Sequence, residues 1–279
     1  MLAQNNYGKS GIRLVKIHRR GENHDVTDLT VAVRFEGEFL AAHAFGDNAD
    51  VLPTDTMKNT VYALAKSHSL HDIESFGLDL ALHFLSRNPG VSCVSITLVE
   101  HLWERLTVAE RPHPSAFRRA GEETRFASIT RTHAGATVEA GLDGLTILKS
   151  TRSAFSGFRR DEFTTLQETR DRIFATAVAA RWRYGGMDLP FKVVGRSVRQ
   201  TLIETFAEHQ SESVQHTLHA MGEAVLECHA EVDEIRLSLP NKHHILADLS
   251  PFGLTNQNEI FVATDAPYGL IEATVKRGV

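Results

Sequence analysis

The chain has 279 residues, 42% of them hydrophobic, enough to bury a sizeable core as two ordinary domains or one large one. Lys and Arg total 30 against 35 Asp and Glu; a net charge of -5 provides no basic field for nucleic acid or an anionic membrane, so an anionic ligand must be met by a local positive site. Two cysteines, Cys93 and Cys228, without CxxC spacing, exclude a disulfide framework and the usual zinc or redox motifs.

The N-terminal stretch "MLAQNNYGKSGIRLVKIHRR" lacks the apolar run of a secretory signal. No window approaches the ~18 apolar residues of a membrane span. The last residues, "VKRGV", are not a peroxisomal tripeptide. The expectation is a soluble, cytoplasmic protein with no nucleic-acid or membrane partner.

Taken in order, "IRLVKIHR" and "LTVAVRFEGEFLAAHAF" alternate or cluster as strands, with "FEGEF" as a turn. A helix follows from about Asp55, with Met57, Val61 and Leu64 on one face. A second carries Ile73, Phe76, Leu80 and Phe84 after a Ser69-x-x-Asp72 start signal, and "NPG" at 88–90 stops it. Next come strand-like "VSCVSITLVEHLW" and "TRFASITRTHA", separated by the Pro-rich "RPHPSAF".

The second half repeats the order. "ATVEAGLDGLTILKST" and "FATAVAARWRY" read as strands, and helices follow through Val194, Val198, Leu202 and Phe206 and through Val214, Leu218, Met221 and Val225. "EIRLSLP", "HHILADL" and "EIFVATDAPYGLIEATVKR" close the chain as strands. The pattern predicts an α+β fold of two similar ββααββ units, residues 1–135 and 136–279, without obvious sequence repetition.

No GxGxxG follows a strand, and GxxxxGK[ST], GxSxG and HExxH are absent. Among the 15 histidines, His68 with His71 and His216 with His219 fall about one turn apart in predicted helical regions, without the Cys or carboxylate partners of a zinc site, so no metal site is expected. "LPNKHH" reads by itself as a turn, "RRDEFTTLQETRDRIF" as a solvated charged segment, and "YGKSGIRL" as a strand lead-in with an exposed lysine.

The run "LTILKSTRSAFSGFRRDEFTTLQETRDR", residues 145–172, resembles the signature segment of the urate oxidase (uricase) family. "YGK" at 7–9, "DNADVLPTDTMKNTVYALAK" at 47–66, "FAEHQSESVQ" at 206–215 and "SLPNKHH" at 238–244 resemble the same family, so the likeness spans nearly the whole chain. It implies a tunnelling fold and a homotetramer around a β-barrel tunnel, with active sites at subunit interfaces. The implied reaction takes urate, O₂ and water to 5-hydroxyisourate and H₂O₂ with no cofactor. By similarity Phe155 stacks on the purine, Arg172 and Gln215 clamp its polar edges, and the backbone at Val214 and Asp55 adds contacts. Lys9 and Thr54 come from the neighbouring chain, His243 completes a Lys–Thr–His relay, and Asn241 holds oxygen or water over the ring.

Those residue types suit that chemistry. A flat, electron-rich acid wants an aromatic face, a bidentate guanidinium and an amide with both donor and acceptor. Asn241 and His243 share strand parity and can face one pocket, whereas adjacent His243 and His244 point to opposite faces. Pro53 has no N–H, so a backbone donor there must be Thr54 or Asp55, and Asp55 also sits where a helix cap would. Two other readings stand beside this one: a non-catalytic purine-binding scaffold, and a zinc-dependent pterin-type enzyme of the same fold.

Overall fold

In the second strand Leu29, Val31, Val33 and Phe35 are buried at every other position, the period with which a strand shows one face to a core. The computed structural model describes residues 2–278. It runs β1 (Tyr7–Arg20), β2 (Asn23–Gly37), α1 (Leu40–Phe45), α2 (Thr54–Ser67), α3 (Ile73–Arg87), β3 (Val91–Val108), β4 (Arg111–Thr132), β5 (Gly135–Lys149), β6 (Phe174–Tyr184), α4 (Phe191–Glu208), α5 (Val214–Cys228), β7 (Val232–Leu246) and β8 (Phe261–Lys276), with a 3₁₀ turn at Ser250–Phe252. This is an antiparallel α+β protein. Two compact units divide it: one reaches Gly141 and includes Arg183–Gly195, the other holds Leu142–Trp182 and the chain from Arg196 onward.

In the first unit β1, β2, β3 and β4 pair antiparallel in chain order. Helix α3 lies on β3 and β4 and buries Ile73, Phe76, Leu80 and Phe84, the stripe predicted from their spacing. Gly77 allows the close approach, since a Cβ there would come within 2.3 Å of Ile129 Cδ1. Helix α2 packs on β1, and Lys16 of that strand donates to the carbonyls of Ala65 and His68 at 2.8 and 2.6 Å, closing the helix's C-terminal end with a cation.

In the second unit the strands again follow chain order, and β7 pairs antiparallel with β8. Helix α5 lies on both of these strands through Val214, Leu218, Met221 and Val225. Gly222 stands where a Cβ would meet Val275 Cγ2 at 2.5 Å, the counterpart of Gly77. Helix α4 has its first residues in the first unit and the rest in the second, and its Val194, Val198, Leu202 and Phe206 are all buried, as their spacing predicts.

Four local expectations differ from the structure. "FLAAHAF" is not strand: residues from Leu40 form the short helix α1, because β2 ends at Gly37 and Gly46, in the left-handed region, closes the turn. "RPHPSAF" separates nothing, because it lies inside β4; Val108 pairs with Arg111 across Ala109 and Glu110, both at positive φ, as a two-residue hairpin requires. "EIRLSLP" and "HHILADL" are not two strands; Pro240 is tolerated inside the single strand β7. His68 and His71 are not on a helix, since α2 ends at Ser67 and His68 is its C-cap residue.

Candidate active site

In the second unit, the segment after β5 is tied to the start of α5. Ser153 bridges Ser211: Ala154 N–H donates to Ser211 O at 2.7 Å and Ser211 N–H donates to Arg152 O at 3.0 Å. On the other side Arg172 N–H donates to Ser153 O at 2.8 Å, and Phe155 exchanges two backbone bonds with Thr169, at 2.8 and 3.0 Å. Ser153 and Ser211 are both buried, so this knot is shielded from competing water. It ties the segment that carries Phe155 and Arg172 to Ser211, just ahead of α5.

The Arg172 guanidinium lies over the Phe155 ring, 5.2 Å from its centroid. Phe158 stacks on Phe155 at 5.0 Å and 13°, which fixes the ring's plane. Burial pulls the Arg172 pKa below its ordinary value. Its Nε is buried and, among the described residues, has no hydrogen-bond partner. A buried charged donor without an acceptor is costly, so this group is suited to a ligand that brings an oxygen or nitrogen.

Helix α5 starts at Val214 because Ser213 caps it, its Oγ accepting from His216 N–H at 3.1 Å. Val214 is buried against the sheet and Gln215 is exposed, so the first turn offers an amide and free backbone donors. Ser153, Ser211 and Ser213 carry this construction, and the first two have no local sequence signal. Ser213 had one: a serine immediately before an apolar periodic run.

Asn241 and His243 lie on β7 of the same unit, on the parity of buried Leu237 and Leu239. The pairing slips between them: Asn241 opposes Gly269, His243 opposes Thr264, and the extra residues belong to β8. Such irregularities re-aim side chains. Lys242 is engaged by Asp265 at 2.8 Å, and His244 Nδ1 lies 3.2 Å from the Lys242 carbonyl.

Lys9, Thr54 and Asp55 lie in the first unit. Leu52 N–H donates to Tyr7 Oη at 3.0 Å, which holds the approach to α2 against the strand position two residues before Lys9. Gly8 lets β1 lie close to β2, since a Cβ would fall 1.9 Å from Val33 O. The register also shifts between Lys9 and Ile12, so Lys9, like Asn241 and His243, flanks an irregularity. Asp55 does not cap α2; Pro53 is the N-cap residue, and Thr54 and Asp55 already belong to the first turn. The exposed Asp55 carboxylate accepts from Lys58 Nζ and, at 3.0 Å, from Asn59 Nδ2. Lys58's hydrogen bond and then its charge hold the Asp55 pKa below its ordinary value, with smaller help from Asn59 and Lys9. The candidate residues thus form two sets, Lys9, Thr54 and Asp55 in one unit and Phe155, Arg172, Val214, Gln215, Asn241 and His243 in the other.

Among the described residues no three of His, Cys, Asp and Glu are gathered as a metal ion would need, and no helix is long and apolar enough to cross a membrane.

A family profile described as Uricase matches residues 5–130 and 138–272. The chain is 48% identical over 277 residues to Uricase of Arthrobacter globiformis, covering 99% of this chain and 90% of that one. It is 38% identical over 280 residues to Uricase of Danio rerio, covering 97% and 93%. The crystal structure of uricase from Arthrobacter globiformis superposes with a TM-score of 0.94 at 48% identity, covering 99% of this chain and 95% of that one.

Proposed function

The chain belongs to the uricase family and is a urate oxidase of purine catabolism, and from that premise we propose that it works without a cofactor, in a homotetramer whose sites are each completed by two copies. The proposed architecture is a tunnelling fold of two ββααββ units, residues 1–135 and 136–279, whose sheets close into a β-barrel tunnel. Its support is the element order and the exposed apolar side chains of β7 and β8, among them Ile245, Leu246, Val262, Tyr268 and Leu270, which a neighbouring copy would cover.

The observation that carries the reading of the site is the half-buried Arg172 over the Phe155 ring, its Nε buried, on a segment that the Ser153–Ser211 bridge ties to the residues just before α5. A planar acid stacks on Phe155, Arg172 takes one oxygen and nitrogen edge in a fork, and Gln215 takes the opposite edge with donor and acceptor. The Val214 and Asp55 backbones add contacts. Lys9 and Thr54 of the neighbouring copy and His243 form the proton relay, and Asn241 places O₂ or water above the ring.

Urate is itself the reductant. Removing a proton raises its electron density enough to pass electrons to O₂, which leaves as H₂O₂ after taking two electrons and two protons; water supplies the hydroxyl of 5-hydroxyisourate. The protein's part is to withdraw protons and hold three reactants in register. Thr54 relays a proton without becoming charged, and His243 passes protons to peroxide or from the attacking water.

The test follows oxygen uptake and peroxide release on adding urate to purified protein with a chelator and no added cofactor. One peroxide per O₂ is expected, with Lys9→Met abolishing most turnover. Tight urate binding without turnover would instead mean a purine-binding scaffold, and zinc-dependent turnover of a pterin would mean an enzyme of the third class. A fully active monomer in size-resolved fractions would overturn the shared site.

A further inference from the structure

Lys149, the last residue of β5, is half-buried, and its ammonium donates to the His209 carbonyl at 2.6 Å. It also lies 5.4 Å from the Phe206 ring and 5.9 Å from the Phe174 ring. The mechanism assigns it nothing. Burial, then the charge of Arg152, lowers its pKa, so an ammonium is held here against its preference for water.

His209 follows the last residue of α4, and only residues 209–213 join α4 to α5. That connection is held at several points. Arg152, at a left-handed φ of 60°, donates to the Glu208 carbonyl and pairs with the Glu208 carboxylate at 3.5 Å. The His209 ring lies 3.1 Å from Thr217 Oγ1 on α5 and packs edge-on against His216, centroids 4.4 Å apart. Ser211 is locked into the Ser153 bridge. The His209 carbonyl lies at the negative end of α4's dipole, where a cation is favoured. Its ring grips the first turn of α5, so whatever fixes the carbonyl fixes that turn.

We propose that Lys149 is a positioning residue for the purine site: by holding the His209 carbonyl it sets where the first turn of α5 lies, and so where Gln215 meets the substrate. The inference rests on the reading of Gln215 as a substrate contact. A contact made equally in the bound and transition states changes KM and leaves kcat in place, so loss of the clamp loosens binding and spares chemistry.

Lys16 supplies the control, since it closes the C-terminal end of α2 with the same kind of bond, and no purine contact is assigned beside it. The experiment measures kcat, KM, Tm and the Kd for urate under anaerobic conditions in the full tetramer, for Lys149→Met, Lys149→Arg, Thr217→Val, Lys16→Met and Gln215→Ala. Lys149→Met is expected to raise KM and Kd about tenfold with kcat within about twofold, Lys149→Arg to restore most of the loss, and Thr217→Val to raise KM about threefold. Lys16→Met is expected to lower Tm and leave KM unchanged.

The clamp is wrong if Lys149→Met and Thr217→Val leave KM unmoved while Gln215→Ala raises it, or if Lys16→Met raises KM as much as Lys149→Met. An unmoved Kd in Gln215→Ala would instead remove the reading of the site beneath it. If Lys149→Met does not fold, Thr217→Val and Lys149→Arg against Lys16→Met decide the question.

Discussion

Helix α3 is capped by Asp72, whose carboxylate accepts from Ser75 N–H at 2.9 Å, and α5 by Ser213, whose Oγ accepts from His216 N–H at 3.1 Å. Both helices lie on antiparallel strands with a glycine at the closest approach, Gly77 or Gly222. Beyond the cap they part. In the first turn of α3, Glu74 is wholly buried and meets Arg125 at 3.2 Å, and Arg125 also holds Glu100 at 2.8 Å. In the first turn of α5 the corresponding stretch offers exposed, neutral Gln215 beside the Ser153–Ser211 bridge. A helix N-terminus attracts an anion. One unit satisfies its own with an internal carboxylate and a half-buried arginine, which seals it. The other has no acidic residue in its first turn, and in the proposed site that place is left to the anionic substrate.

The largest expected effect breaks the sealed end. Arg125→Met strands Glu74 in the core and should cost about 3–5 kcal/mol in chemical denaturation, while KM for urate in the folded fraction stays unchanged. At the open end, Arg172→Lys keeps the charge and loses the fork. It should raise KM roughly 30-fold, about 2 kcal/mol, with little change in Tm, and near-unchanged urate affinity would refute the role given to Arg172.

The caps sharpen the contrast at equal cost. Asp72→Ala and Ser213→Ala should each lose about 1 kcal/mol of stability. Steady-state kinetics should then separate them, with KM rising a few-fold only for Ser213→Ala.

The gentlest effect is on pH. Burial outweighs the charge of Arg125 and holds the Glu74 pKa above its ordinary value, so the folded state binds this proton more tightly than the unfolded chain. Its contribution to stability is complete below the unfolded carboxylate pKa and is lost as pH rises through the raised folded one. Tm followed upward across that window should fall less in Glu74→Gln than in the parent chain.

Much of this was legible beforehand. The stripes Ile73, Phe76, Leu80, Phe84 and Val214, Leu218, Met221, Val225 repeat with the helical period, and the structure buries every one. The family likeness pointed to candidate site residues; of these the structure sets Arg172 over Phe155, and the Ser153–Ser211 bridge ties their segment to the residues before α5. The sealing of Glu74 was not legible: a lone glutamate in a helix's first turn reads as a solvated group, and Arg125 lies 51 residues away. The same holds for Lys149, which in sequence is only the end of a strand.

From the residues alone came most of the element types and the faces they bury, because side-chain periodicity is local and reports directly on which side meets a core. Pairing was decided only in the tertiary structure. Which carbonyl receives Lys149, 60 residues on, and that Ser153 meets Ser211 depend on which donors and acceptors far apart in the chain satisfy one another, and no local pattern records that choice.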